Sequence, residues 1–515
     1  MQLYFRDKHL TFLDKVFDTV QHGSNFVLLF GKRKVGKTTF VAEHLRRRRG
    51  AYITVSNKSS VLQLHEISDY LKSFNFTESF IPAFRNWKEF FEFIFYIAKE
   101  QTVNLAIDEF HNFEKLEPGV YNELKKLWDK HAHTSNLNII AITSDQDFIR
   151  RTFTSNESPL YQINHFNLKL EPFRFSEVAG IMQMHNSVLP LDEIIKIYLV
   201  FGGLPKYYAL IDQFGLWNKG LTEILKELVF KNFAPLGYEL KELIVNDFNR
   251  GNSVYLSILQ AIAAGHRTIS EISRFVDIPP TSVVKYTTEL ERKKSLIKRK
   301  LPLGTIDQAK SKYGKYYLNN YFDNFWFHFI QPDIISYEMG QFEKMLNSVV
   351  AQMDIYIKER MPLIVNEIIS ENLYNPLVKR LIDSPISQIG QTWTRDCHMD
   401  LVIKSDVSDR VVLGKILDKD FSFTAEQMSQ LHRDTESMRK IFFGVKLEEL
   451  VITHETPSAE FKRYLDENKI ESLLLYDVLS LNDYRPKQSR TLRTKVPRVR
   501  QTEPMHKHVK IRESR

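Results

Sequence analysis

Eight residues, Gly31-Lys32-Arg33-Lys34-Val35-Gly36-Lys37-Thr38, fit the spacing G-x-x-x-x-G-K-[ST]. Two glycines let a backbone curl until its amide N–H groups converge on phosphate oxygens, and a helix starting at the end of the loop adds partial positive charge there. In that arrangement Lys37 reaches the β- and γ-phosphates and the Thr38 hydroxyl ligates Mg²⁺. Lys32, Arg33, Lys34, Val35 and Thr39 complete the candidate nucleotide loop. The apolar run Asn25–Phe30 (NFVLLF) precedes it and a helical pattern follows it, which is the strand–loop–helix context that separates a working phosphate loop from a glycine turn.

A second element supplies the carboxylates. Leu105-Ala106-Ile107-Asp108-Glu109 is an apolar run ending in two acids. The first can hold Mg²⁺ through water, and the second can orient or deprotonate an attacking water. Asp108 is therefore assigned to the metal and Glu109 to catalysis, which implies hydrolysis as well as binding. The apolar run Leu137–Ile142 ends in Thr143-Ser144-Asp145, so Thr143 or Ser144 is a candidate γ-phosphate sensor; a strand-end turn or helix cap accounts for the same residues equally well.

These residues need a scaffold. Short apolar runs at Asn25–Phe30, Ala51–Val55, Val103–Ile107, Leu137–Ile142 and Phe166–Leu170 alternate with helical patterns at Phe40–Arg49, Val61–Phe74, Trp87–Lys99 and Tyr121–Lys130. That alternation predicts an α/β fold with a parallel sheet covered on both faces. The next stretch, from Arg174 to about Asn249, reads as mostly helical. Leu256–Ala264, Ile269–Val276 and Ser282–Lys294 read as three short helices, with Ile297–Lys300 opening a wing and Lys312–Leu318 returning it. Helices then precede strands at His398–Lys404, Arg410–Ile416, Leu447–Thr453 and Ser472–Tyr476.

Taken in order, FRDKHLTFL, GKRKVGKTT, LAIDEF, IAITSD, LKLEPF and FGGLPKYY resemble the archaeal-type ATPases of the STAND and AAA-like P-loop group, and the resemblance extends over nearly all of the chain before the basic tail. It implies ATP rather than GTP, a helical lid, a winged helix and, in one branch, a C-terminal domain like the PD-(D/E)XK restriction nucleases. The implied layout is an ATPase core at 1–172, a lid at 173–249, a winged helix at 250–318, an aromatic linker at 319–336, a nuclease-like domain at 337–484 and a basic tail at 485–515. Phe201-Gly202-Gly203-Leu204-Pro205 matches the family's lid motif, which implies contact with nucleotide, or relay of its state, at Gly203 and Pro205; on composition the same residues read as a helix-ending turn. Leu160-Tyr161-Gln162-Ile163 stands where the family often has Leu-Tyr-Gly-Arg, so any arginine finger must come from elsewhere, with Arg150 and Arg151 nearby or a second copy of the chain in trans, or turnover is slow.

On the winged helix, Thr281, Ser282 and Lys285 would face DNA, with Lys293, Lys294, Lys298, Arg299 and Lys300 near phosphates. The competing reading is an internal docking module. In the C-terminal domain Asp400 stands at the expected acidic position, but Lys415 and Leu417 replace the glutamate and lysine of E-x-K, and Pro362 falls at the helix glutamate, with Glu359 and Glu367 near. The expectation is a nuclease-like scaffold that does not cut, the alternative being a migrated site using Asp400, Asp418 or Asp420.

The whole-chain balance sharpens the partner question. The 515 residues carry a formal charge of +8. Residues 485–515 hold 11 Lys or Arg and 2 Asp or Glu, which leaves 60 basic and 61 acidic residues in 1–484. The tail, with few large apolar residues, is expected to be disordered when free, either as a phosphate-neutralising arm or as a solubilising terminus. DNA is thus the expected partner, with a protein partner and a homo-oligomer as alternatives. Cys397 is the single cysteine, which excludes internal disulfides and cysteine-based zinc sites. No apolar run approaches the roughly 20 residues needed to span a bilayer. The resulting expectation is a cytoplasmic, ATP- and Mg²⁺-dependent protein, with association with the nucleoid as an alternative.

Overall fold

The computed structural model describes residues 4–163, 166–237, 239, 253–292, 295–304, 313–382, 384–417, 425–453 and 456–479. Strands β1 (Asn25–Phe30), β2 (Ala51–Thr54), β3 (Val103–Asp108), β4 (Leu137–Thr143) and β5 (Phe166–Lys169) form one sheet in the order β2-β3-β4-β1-β5. Every pairing in it is parallel. β1, β3 and β4 are buried almost end to end, as a sheet covered on both faces requires. One face packs against helices α1 (Asp7–Asp18) and α2 (Lys37–Arg48); the other is filled by α3 (Ser60–Ser73), α4 (Trp87–Ile97) and the helix Val120–His131. The strand order matters for chemistry. β4 lies between β1, which leads into the phosphate loop, and β3, which ends at Asp108, so three functional strand ends share one edge.

Among the described residues after β5 are the helices Phe175–His185, Leu191–Phe201, Pro205–Gln213 and Leu221–Leu228. Among the described residues no single helix is long and apolar enough to cross a membrane. The bent pair Leu191–Phe201 and Pro205–Gln213 passes by length and composition, and its apolar side chains are largely core residues.

Three short helices follow at Ser253–Ala263, Ile269–Val276 and Pro280–Arg292, then an antiparallel hairpin of β6 (Ile297–Lys300) and β7 (Lys315–Leu318). Thr268 and Glu271 form a reciprocal capping box that starts the second helix. Lys293, Lys294 and Lys312, expected on this unit, lie outside the described residues, as do 240–249 of the lid.

The hairpin does not stand free. Leu303 N–H donates to the Gln391 carbonyl at 2.9 Å, the Thr392 hydroxyl donates to the Leu303 carbonyl at 2.9 Å, and the Trp393 indole donates to the Tyr313 carbonyl at 2.7 Å. Gln391 to Trp393 belong to β8 (Gln388–Trp393), the edge of a second sheet. This sheet runs β12-β11-β10-β9-β8, with β9 (His398–Lys404), β10 (Arg410–Ile416), β11 (Lys446–Thr453) and β12 (Glu471–Leu474). β8, β9 and β10 pair antiparallel, whereas β10, β11 and β12 pair parallel. β8 is an element that the sequence pattern did not suggest.

The stretch 319–336, expected as a linker, contains the helix Tyr321–Phe329, whose Phe322, Phe325, Trp326 and Phe327 are all buried. One hydrophobic core runs from Phe173 to Leu479 and takes in the lid helices, the three-helix unit, this aromatic helix, the 30-residue helix Phe342–Glu371 and one face of the second sheet. Arg360 on the long helix is 1% exposed. Its guanidinium donates to the carbonyl of Ala263 at 3.1 Å, where the helix Ser253–Ala263 ends, and to Asn324 Oδ1 at 3.0 Å. A cation at a helix C-terminus is favourable, and this one ties three segments together.

Candidate nucleotide site

The loop between β1 and α2 takes its shape from two backbone positions that favour glycine. Gly31 has φ 156° and Gly36 φ 89°. A Cβ on Gly31 would stand 2.3 Å from the Leu170 carbonyl oxygen, so the start of the loop is pressed against the end of β5. Lys34 also adopts positive φ, and Val35 is buried beneath the loop. α2 begins at Lys37, directing its free N–H groups at the space the loop encloses. Lys37 Nζ donates to the carbonyls of Gly31 at 2.8 Å and Lys32 at 3.0 Å, and burial holds its pKa below the usual lysine range.

Thr38 Oγ1 lies 3.2 Å from Asp108 Oδ2, so residues 70 positions apart meet as the sequence requires. Tyr52 on β2 also donates to Asp108 Oδ2 and fixes that carboxylate from the neighbouring strand. One hydroxyl and one carboxylate fit Mg²⁺, which keeps waters and takes further oxygens from a bound nucleotide rather than from an all-protein cage. Thr38 and Asp108 would hold it, and the ion would neutralise phosphate charge.

β3 turns sharply at Glu109, a non-glycine residue with φ 52°. Its carboxylate is half-exposed beside Asp108, where a water could be oriented. Thr143 ends β4 opposite Phe30, buried, and its hydroxyl accepts from the Asp145 amide at 3.1 Å. Ser144 is half-buried at the start of a turn, and Asp145 caps the following helix by accepting from Phe148 N–H at 2.9 Å. The strand-end turn and the strand-end polar side chain thus coexist. His111, which sequence reasoning passed over, lies 3.2 Å from Thr143 Oγ1 through Nδ1 and 3.4 Å from Glu109 Oε2 through Nε2.

A pocket opens behind the loop, walled by Tyr4, Arg6, Val35, Phe173, Pro205 and Tyr208, with Gly36 and Thr39 at its floor. Arg6 is held over the Phe173 ring at 5.0 Å and bonded to the Glu171 carbonyl at 2.6 Å. Pro205 lines this pocket directly. Gly203 acts differently: a Cβ there would be 1.7 Å from the Phe173 carbonyl oxygen, while Phe173 N–H donates to the Gly203 carbonyl at 2.7 Å. Gly203 therefore lets the lid lie against the chain leaving β5.

The loop and lid also meet through charge. Lys34 Nζ pairs with Glu239 at 2.5 Å and Lys206 pairs with the same carboxylate at 2.9 Å, with Glu239 only 1% exposed. Asp323 of the aromatic helix is close by, and burial pushes its pKa up to about 7. Arg33 is exposed. Arg150 and Arg151 pair with Asp147 and Glu114 on the surface, where both remain more than half exposed.

Elsewhere, Thr281 and Lys285 are exposed on the helix Pro280–Arg292 and Ser282 is half-buried. Lys298 lies on β6 with its pKa lowered, first by burial and then by nearby Lys32; Lys300 is lowered to about 8, chiefly by burial. The Arg299 backbone N–H donates to Glu291 at 2.8 Å. In the second sheet Asp400 Oδ2 accepts from Ile416 N–H at 3.1 Å, Lys415 lies 3.6 Å from Asp434, and Leu417 is buried. Pro362 is inside the long helix, and Glu367 caps the helix Phe175–His185 by accepting from Phe175 N–H at 3.0 Å. Asp418, Asp420 and the tail 485–515 lie outside the described residues.

Residues 4–211 match the family described as an ATPase domain predominantly from Archaea, and residues 326–441 match a family of archaeal and bacterial proteins of unknown function. The first stretch is thus an archaeal-type ATPase domain with a P-loop. An uncharacterized protein of Methanocaldococcus jannaschii is 24% identical over 438 residues, covering 85% of this chain and 91% of that one. Among solved structures, a Walker-type ATPase of Pyrococcus abyssi is 17% identical, with TM-score 0.47 over 63% of this chain and 96% of that one. The Aeropyrum pernix ORC1 protein in complex with DNA is 14% identical, with TM-score 0.32 over 68% and 95%.

Proposed function

We propose that this chain is an ATP-hydrolysing switch that passes its nucleotide state through the lid to a winged helix and a nuclease-like C-terminal domain, with DNA as the target. The observation that carries the reading is the meeting of Thr38 with Asp108 at 3.2 Å, with Glu109 one residue on and Lys34 reaching from the loop to Glu239 of the lid. Bound phosphates compete with Glu239 for Lys34, so ATP loosens the loop–lid pair and hydrolysis restores it. Glu109 serves as the base for the attacking water, Lys37 stabilises phosphate charge, and Thr143 or Ser144 reports the γ-phosphate. Lys285, Lys298, Arg299 and the tail supply phosphate contacts on DNA. The nuclease-like sheet does not cut, because Lys415 beside Asp434 occupies the place where a second carboxylate would hold a cation.

A second reading has one specific support. The hairpin is strapped to β8 by three hydrogen bonds, which suits an internal docking module acting on a protein partner. ATPase turnover with and without double- and single-stranded DNA tests the first reading. Glu109→Gln should hold the ATP-bound form and slow turnover to a small residual rate, and Lys37→Ala should abolish binding. Unchanged turnover in both variants sinks the site assignment. DNA affinity should fall steeply with salt, and less steeply without residues 485–515; absence of binding at low salt favours the protein partner. Mg²⁺- or Mn²⁺-dependent cleavage that Asp400→Ala abolishes would overturn the non-cutting assignment. Turnover that rises with protein concentration would point to an arginine supplied by a second copy.

A further inference from the structure

We propose that His111 is the positioning residue for the Glu109 carboxylate, linking the base to the end of β4. The proposal rests on the hydrolytic reading above. The Asp145 amide donates to Thr143 Oγ1 at 3.1 Å, which leaves the Thr143 hydroxyl hydrogen free to point at His111 Nδ1, 3.2 Å away. Nδ1 then accepts, so the ring proton sits on Nε2 and faces Glu109 Oε2 at 3.4 Å. A slight rotation of either side chain closes that contact, as catalytic hydrogen bonds commonly tighten when substrate binds.

The turn that carries His111 is held at several points. The Glu109 amide donates to Asp108 Oδ1 at 2.8 Å, the Asn112 amide donates to the Glu109 carbonyl at 2.8 Å, and Asn112 Nδ2 donates to the Val55 carbonyl at 2.7 Å. The imidazole itself is mostly buried, at 16% exposure, whereas Glu109 is at 40%. A buried ring beside a more exposed carboxylate is the arrangement a positioning group needs. By occupying Oε2 as a donor, His111 leaves Oε1 as the acceptor for the attacking water. Thr143 pairs in register with Phe30, the last residue before Gly31, so the same ring connects the base to the strand that enters the phosphate loop.

The test uses the full chain with steady-state ATPase and binding of ribose-labelled fluorescent ATP. His111→Ala should lower kcat by roughly tenfold to a hundredfold, a part of what a general base contributes, with labelled-ATP affinity and KM within about threefold of the parent. His111→Gln, whose amide can both donate and accept, should recover most of the loss. Adding Glu109→Gln to His111→Ala should lower kcat no further than Glu109→Gln alone, because the ring acts only through that carboxylate. A parental kcat in His111→Ala overturns the proposal, as does His111→Gln as slow as His111→Ala with ATP still bound. If His111→Ala fails to bind labelled ATP, Thr143→Val, which keeps the ring and removes its anchor, must lower kcat without changing affinity, and a parental rate there is equally fatal. A parent with no turnover, or Glu109→Gln at the parental rate, removes the hydrolytic reading itself and this proposal with it.

Discussion

Gly203→Ala probes how the lid meets the nucleotide domain. The added Cβ would lie 1.7 Å from the Phe173 carbonyl oxygen, and real Cβ atoms essentially never come within 3.0 Å of such an atom, so one backbone must retreat by about 1.3 Å. Phe173 and Gly203 are also joined by the 2.7 Å hydrogen bond from Phe173 N–H, which that retreat breaks. Forcing extra volume into a packed contact costs about 1–3 kcal/mol, and losing the bond adds roughly 1 kcal/mol. Phe173 and Pro205 both line the pocket beside the loop, so moving either changes its shape. The expected outcome is a chain about 2–4 kcal/mol less stable to urea, with ATP affinity lowered at least tenfold and little change in turnover at saturating ATP. Titration with labelled ATP and equilibrium unfolding measure the two effects. Parental affinity together with parental stability would refute the argument that this glycine is required for close approach.

Further outcomes follow from other contacts. Tyr52→Phe removes a donor to Asp108, and should raise the Mg²⁺ concentration needed for half-maximal ATPase or change its cooperativity while leaving Mg²⁺-free labelled-ATP binding intact. Arg360→Ala removes a buried donor from Asn324 Oδ1, leaves the Ala263 carbonyl with His328 alone, and opens space in the core; stability to urea should drop by about 2–5 kcal/mol. Asp323 carries a folded-state pKa of about 7 against an ordinary 3.8, because burial disfavours its charge. Between those values the folded chain holds a proton that the unfolded chain has released, so stability contributed by this group falls as pH rises from about 4 to 7. Glu371, also near 7, acts in the same direction. Urea midpoints measured across that range should slope downward with pH, and Asp323→Asn should flatten the slope.

The phosphate loop and the Asp108-Glu109 strand were legible in the sequence because each is specified locally: glycines at fixed offsets, an apolar run, two acids at its end. The strands of the parallel sheet were legible for the same reason, to within a residue or two at each end. What escaped was assembled over distance. His111 follows Glu109 by two residues, but it acquires meaning only because the order β3-β4-β1 sets Thr143 beside it. Arg6 stands in the FRDKHLTFL motif with Tyr4 just before it, yet both reach the pocket only when the chain folds back on Phe173. β8 reads QIGQTW, with little of the alternation that marks a strand, and it is recruited by pairing with β9 and by the hairpin docked on its edge. The aromatic helix shows the opposite failure: YFDNFWFHF advertises burial, and only the surrounding helices decide that it lies at the centre rather than between domains.

The continuous core from Phe173 to Leu479 has a consequence for how such a chain can be inherited. Recombination at either edge of the aromatic helix would strand Phe322, Phe325 and Trp326 in water on one fragment and leave their pocket empty on the other. With each large aromatic worth about 3–5 kcal/mol when its packing is lost, neither fragment would keep a folded population worth selecting. Everything beyond the nucleotide sheet should therefore travel through evolution as one indivisible block, with exchange tolerated in front of Phe173 or past Leu479 and not between them.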